Sequence, residues 1–259
     1  ARDGYVFPID ILSEAQAGEA RAEFERCESV YKANPDYGSI GAYPHMIMPW
    51  LDGLMRHASI LNPVREILGN DLLVWGTSFF IKEANTTNYV SWHQDLHYWG
   101  LDDVDECTAW LALSPATVES GCMRFVPGTH LTPDLEHQDS FSKDNLLSRG
   151  QELAVEVDDS EAVDVVLKPG QISLHHGRTF HASHANQTSD RRIGVAIRYI
   201  PPSMAQANGT RTMATLVSGE DRNNHFVLAP APAGFALPKD RARTSEAELL
   251  KESILYATA

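Results

Sequence analysis

The chain has 259 residues, 43% of them hydrophobic and 22% charged, with a formal net charge of -14. That length and apolar content suffice for a sizeable core, and mainly β chains of this size commonly form one domain. An acidic surface repels phosphates, which excludes nucleic acid and anionic membranes as partners and leaves small molecules, cationic and zwitterionic ones included; much of the acidity simply serves solubility.

Three cysteines, Cys27, Cys107 and Cys122, are odd in number and widely spaced. They read as buried reduced thiols rather than a disulfide framework or a metal-binding pair. No apolar run nears the roughly 20 residues needed to span a bilayer. The first residues, ARDGYVFPID, lack the charged lead and apolar core of a secretory signal. A cytoplasmic protein is expected.

The expected elements begin with an edge strand over residues 5–9. Ser13 offers an N-cap for a helix through SEAQAGEARAEFERCESVYKA, which should end before Asn34-Pro35. A second helical region covers roughly 46–69, broken around Asn62-Pro63 and closed by Gly69-Asn70. The character changes at Asp71. LLVWGTSFFI, ECTAWLALS, CMRFVP, VDVVLKPG, QISLHH and RIGVAIRYI are short, β-branched or aromatic runs separated by turn residues. They predict a mainly β sandwich or barrel, with helices at its N-terminal flank. A charged insertion over about 131–160 is long for a plain loop and reads as a lid. The tail from Pro201 is polar and Pro/Ala-rich until a last helix at about 245–256. With no repeat and no linker, residues 1–259 are expected to form a single domain.

The chemistry centres on YVSWHQDLHYW, residues 89–99. Residues two apart in a strand share a face, so His93 and Asp95 can bite one metal ion. An HxD tripeptide alone is weak evidence, and His137-Gln138-Asp139 repeats it. The first copy sits among aromatic, β-prone residues. The second lies in a run of charged and polar residues and reads as solvated helix or irregular loop. A third ligand must come from His175, His176, His181 or His184. Two histidines and a carboxylate on one side of an ion leave adjacent positions open, which suits non-haem Fe(II) oxygen chemistry. A zinc hydrolase would use the same donors, although no HExxH helix is present. Each histidine taken singly is as readily a polar residue at a barrel mouth.

WHQDLHYW, TAWLALSPATVESGCMRFVPGTH and PGQISLHHGRTFHASHANQTSDRRIGVAIRY, in this order, resemble the phytanoyl-CoA dioxygenase family. The resemblance covers most of residues 5–205. It implies a double-stranded β-helix, or jelly roll, an Fe(II) cofactor, and 2-oxoglutarate and O2 as co-substrates. The family pattern maps the metal ligands to His93, Asp95 and His181, and the 2-oxoglutarate anchor to Arg192, with Ser183, Trp110 and Ser78 beside it. A guanidinium suits that role because it clamps a carboxylate bidentately. An upstream lysine of some relatives falls nearest to Ala42. Halogenating relatives carry a small residue in place of the carboxylate, so Asp95 implies oxygen insertion.

For the substrate, His97, Tyr98 and Trp99 flank the ligands, as do Tyr89 and Trp92, and they are candidates for a cationic group held by aromatic faces. Packing of the strand is the plainer role for Trp92. Lys82, Arg124 and Arg178 are candidates for an anionic group. No basic cluster suits coenzyme A phosphates. The expected substrate is therefore a small polar metabolite, a zwitterion such as an aminoalkylphosphonate or a betaine-like compound. The alternatives are an acyl-CoA or other apolar molecule, and a non-catalytic jelly-roll binding protein.

Overall fold

The computed structural model describes residues 2–255 apart from Ser39 and Ala42, so the position nearest the relatives' lysine, Ala42, lies outside the described residues. Strand β1 (Tyr5–Asp10) is followed by helix α1 (Glu14–Ala33). The Ser13 hydroxyl accepts from the Gln16 N–H at 3.3 Å, and the Gln16 side chain accepts from the Ser13 N–H at 2.9 Å. This reciprocal box fixes where α1 starts. Helices α2 (Pro49–Met55) and α3 (Ala58–Leu68) follow. The break between them is at Arg56-His57, not at Asn62-Pro63 as expected. His57 leaves the helical conformation, and its ring accepts from the Ser59 N–H to start α3. Pro63 lies inside α3 and removes one backbone bond without ending the helix.

The strands are β2 (Leu72–Lys82), β3 (Val90–His93), β4 (Cys107–Ala112), β5 (Met123–Phe125), β6 (His137–Asp139), β7 (Gln151–Leu153), β8 (Val163–Val165), β9 (Gln171–His175), β10 (His181–Ser183), β11 (Arg192–Ile200), β12 (Met213–Ser218) and β13 (Val227–Leu228), before the last helix α4 (Pro238–Leu255). Every run expected to be a strand after Asp71 is one. The tail differs from expectation: it contains β12 and β13, and α4 starts earlier than residue 245. MATLVS is flanked by polar Gly-containing segments that mask its β character.

The chain forms two compact units. The first comprises residues 1–18, 80–97 and 110–195. It holds a four-stranded sheet of order β3-β10-β5-β8, with β1 antiparallel to β9. The insertion is not irregular: His137, Gln138 and Asp139 of β6 pair with β7. It is bonded to β3, because the Tyr89 N–H donates to the Asp144 carbonyl at 2.9 Å and the Leu146 N–H to the Tyr89 carbonyl at 2.9 Å. Leu153 buries itself with Val126 and Phe180, and Trp92, Leu135 and Val157 pack around them. Burial of one such side chain is worth about 1.5–3 kcal/mol.

The second unit comprises residues 19–79, 98–109 and 196–259. Here β12 runs antiparallel to β2, with Thr215 opposite Val74, and parallel to β13. His45 is only 1% exposed and bridges two hydroxyls, Thr77 Oγ1 at 2.8 Å from Nδ1 and Thr215 Oγ1 at 3.2 Å from Nε2. Burial pulls the His45 imidazole down to about 3.

The unfolded chain, with a histidine near 6.5, binds a proton that the folded chain refuses until about pH 3. Stability from His45 is thus fully present above pH 6.5 and lost as pH falls towards 3. Urea midpoints are expected to fall through this window. His45→Gln should reduce the slope by up to ~1.4 kcal/mol per pH unit; an unchanged slope would refute the assignment.

Candidate metal centre and its surroundings

β10 places His181 directly opposite His93 of β3 on one side and opposite Phe125 of β5 on the other. The two imidazole centroids are 3.9 Å apart. β3 stops at His93, so Asp95 does not share a strand face with it. Asp95 returns to His93 through the bend after β3, which brings its Oδ1 to 3.5 Å from His93 Nε2. His93, Asp95 and His181 each offer a ligand atom, and these atoms all lie within 4.8 Å of one another.

The imidazoles are pre-oriented. His93 Nδ1 donates to the Ser91 carbonyl at 2.8 Å, and His181 Nδ1 to the Thr179 carbonyl at 2.9 Å. This leaves Nε2 of both rings as the free base, the arrangement that metal-binding histidines usually show. Burial, and then the neighbouring His93, hold His181 well below the ordinary histidine range, so it stays neutral. Two imidazoles and a carboxylate are the donor set that fits Fe(II) with open positions.

The second HQD is not solvated loop. His137 is half-buried in β6, and its Nε2 accepts from the Gln94 backbone N–H at 3.0 Å, between His93 and Asp95. Its Nδ1 donates to the Leu135 carbonyl at 2.9 Å. Burial, and then His97, lower the His137 imidazole to about 4, so the ring stays neutral, and these two hydrogen bonds fix its tautomer. The fully buried Gln94 side chain donates to the Arg178 carbonyl at 3.1 Å and accepts from the Leu135 N–H at 3.1 Å. One amide therefore joins the metal loop, the insertion and the turn before His181.

A second cluster holds cations. Arg192 is 2% exposed, its Nε has no partner, and no carboxylate pairs with it among the described residues. Its guanidinium lies over the Trp110 ring, 5.3 Å from the centroid. Gly194 permits this, because a Cβ there would stand 1.9 Å from the Trp110 ring. Lys82 was expected on the substrate side. It is instead fully buried, donating to Ser183 Oγ at 2.7 Å and to the His184 carbonyl. Burial, and then the charge of Arg192, lower the Lys82 ammonium to about 6. A strand lysine gives no sign in the sequence of which way its ammonium turns.

The remaining candidates are dispersed in role. His97 stacks on His137 with centroids 4.2 Å apart, and its Nδ1 lies 2.9 Å from the Asp134 carboxylate. Arg178 is half-buried and its backbone is used by Gln94 and His176. Arg124 is engaged by Asp159 and Asp164. Trp92 donates to Asp159 at 3.0 Å. In the second unit Tyr98 and Trp99 are buried, and Ser78 Oγ accepts from Arg198 at 3.1 Å. Of the other histidines, His175 packs against Phe125, His176 accepts from the Arg178 N–H, and His184 meets Arg124.

Gln94→Ala cuts the three-way tie while leaving all three candidate ligands in place. It is expected to weaken Fe(II) or Co(II) binding roughly 10- to 100-fold, as loss of an outer-shell partner does. Metal titration with circular dichroism as the folding control measures this; unchanged affinity would dispose of the tie.

Comparison with known proteins places these features. The family model "Phytanoyl-CoA dioxygenase (PhyH)" matches residues 1–194. The chain is 26% identical over 157 residues, 60% of this chain and 54% of the other, to the "Probable alpha-ketoglutarate-dependent hypophosphite dioxygenase" of Stutzerimonas stutzeri. It thus spans about half the length of that relative. It is 22% identical over 230 residues to an ectoine dioxygenase of Bordetella bronchiseptica, covering 76% of this chain and 72% of the other. Among solved structures, the apo form of the non-heme monooxygenase ThoJ superposes with a TM-score of 0.89 at 34% identity, covering 99% of this chain and 96% of that one. The mainly β architecture is the jelly roll of Fe(II)/2-oxoglutarate oxygenases. With the family model matching most of the chain, this protein belongs to the phytanoyl-CoA dioxygenase (PhyH) family.

Proposed function

We propose that the chain is an Fe(II)- and 2-oxoglutarate-dependent hydroxylase of a small polar metabolite, a zwitterion such as an aminoalkylphosphonate or a betaine-like compound. Arg192 carries this reading: a buried guanidinium with no carboxylate partner among the described residues, in the same compact unit as His93, Asp95 and His181. An uncompensated buried charge is costly, and a dicarboxylate removes the cost. In this reading His93, Asp95 and His181 hold Fe(II), and Arg192 clamps the distal carboxylate of 2-oxoglutarate. Ser183 takes a hydrogen bond from Lys82 and so has its own proton to donate to that carboxylate. Trp110 backs Arg192. When bound, Fe(II) with 2-oxoglutarate and O2 supplies the oxidising power to insert oxygen into a C–H bond, with release of succinate and CO2. The chain's own part is to fix the donors, neutralise the co-substrate charge and keep water away. The net charge of -14 and the likeness to an ectoine dioxygenase support a polar substrate over an acyl-CoA.

Succinate release with Fe(II), 2-oxoglutarate and O2 against a metabolite panel tests the reading. Zwitterions should stimulate release, His93→Ala should abolish it, and Arg192→Gln should raise the KM for 2-oxoglutarate roughly 10- to 100-fold. A preference for acyl-CoAs would replace the substrate class. Absence of a metal-to-ligand band with anaerobic Fe(II) and 2-oxoglutarate would overturn the enzyme class.

Lys82 adds a proton signature. Above pH about 6 its amine is largely neutral in the free enzyme, and a carboxylate bound nearby restores the ammonium. Binding of 2-oxoglutarate at pH 7–8 is therefore expected to take up a proton. Calorimetry in buffers of different ionisation enthalpy reads this, and Lys82→Met should remove it.

A further inference from the structure

β11 carries a second buried arginine. Arg198 follows Arg192 by six residues, with the same parity along the strand, and is 6% exposed. Its guanidinium lies over the Trp99 ring, 5.2 Å from the centroid, much as Arg192 lies over Trp110. Among the described residues its one hydrogen bond is from Nη1 to Ser78 Oγ at 3.1 Å. Its Nε has no partner, and no carboxylate pairs with it among the described residues. A guanidinium has five N–H donors, and here one is used.

A second donor without an acceptor stands in the same unit. Tyr43 is 1% exposed, its hydroxyl has no hydrogen-bond partner, and it senses the charge of Arg198. Its backbone is held in the left-handed region at φ 68, with its N–H donating to the Thr77 carbonyl at 3.0 Å. A bulky residue in that region is a conformation that surroundings must enforce. Trp75 stacks on Trp99 with centroids 4.9 Å apart, and Lys251 Nζ lies 5.9 Å from the Tyr43 ring centroid. The acidic group that Tyr43 also senses is Glu248. Ser78 accepts from Arg198, so its proton is left to donate.

We propose that Arg198, Ser78 and Tyr43 form a binding subsite for an oxyanion, a carboxylate or a phosphonate-type group, within the second unit. Arg198 Nε and the Tyr43 hydroxyl have no acceptor among the described residues, Ser78 keeps its own proton, and a buried guanidinium without a counter-ion is costly unless an anion meets it. A planar guanidinium backed by an indole offers its free edge to such a group bidentately. The subsite uses none of His93, Asp95, His181 and Arg192, so it is testable without iron or 2-oxoglutarate.

The test uses the full chain, metal-free and labelled with 15N-arginine. The Nε–H resonance of Arg198 is assigned by its disappearance in Arg198→Lys, and inorganic phosphate or acetate is titrated in. The expected result is a saturable shift of that resonance. Tyr43→Phe and Ser78→Ala should each weaken it roughly tenfold, while Arg192→Gln should leave the Kd within about twofold. Saturation by phosphate alone names a phosphonate-type ligand, and by acetate alone a carboxylate. If Arg198→Lys does not fold, the resonance is assigned as the one perturbed in both Tyr43→Phe and Ser78→Ala. No saturable shift, or a shift lost in Arg192→Gln and kept in Tyr43→Phe, would overturn the proposal.

Discussion

The pairing of β10 between β3 and β5 is the constraint on which the metal centre depends. It sets His181 opposite His93 and Phe125 in adjacent registers. Side chains alternate with a period of two, so a slip by one residue would send His181 to the other face of the sheet. Nothing in the imidazoles themselves holds this register: two buried bases 3.9 Å apart do not attract each other. The register is held by packing. Phe125 is fully buried in β5, and the Leu153, Val126 and Phe180 cluster uses the residue just before His181. Apolar burial, worth about 1.5–3 kcal/mol per side chain, positions a polar site that is unfavourable by itself.

The same logic governs the cations. Arg192 and Lys82 are buried without a carboxylate, and each is tolerated for a different reason. Arg192 is stacked on an indole and remains charged, although burial lowers it to about 10. Lys82 has three acceptors within reach of its ammonium, Ser183 Oγ and the carbonyls of Gly121 and His184, and responds to burial by easier deprotonation. Arginine does not have that escape at neutral pH, which makes it the residue that most requires an anion.

Much of this was legible in the chain, and the rest was not for definite reasons. The runs expected as strands after Asp71 are strands because these β-branched and aromatic runs are bounded by turn residues, whereas β6, β7, β12 and β13 lack that signal. His93, Asp95 and His181, named together from the sequence, lie together in the structure, but not with the expected geometry: an HxD in a β-prone segment suggests a shared strand face, whereas β3 ends at His93 and a bend returns Asp95. The partners of Lys82 were not legible, because parity places a lysine on a face without saying where four methylenes carry its ammonium. The second HQD was misread because its polar neighbourhood looks solvated. Its partner, the backbone N–H of Gln94, is 43 residues away in sequence and leaves no local trace.

That second HQD changes the meaning of the insertion. A charged segment of this length suggests a mobile cover, which would need few bonds to the site it covers. This one supplies His137 to the backbone between two candidate ligands, Leu135 to the Gln94 side chain, and Asn145 to Ser91 Oγ at 2.7 Å. Opening it would strip Gln94 of both its backbone acceptor and the N–H that its side-chain oxygen accepts, and would leave a fully buried amide unsatisfied. Each such loss costs about 1–3 kcal/mol. The insertion is therefore part of the wall that holds the segment between His93 and Asp95.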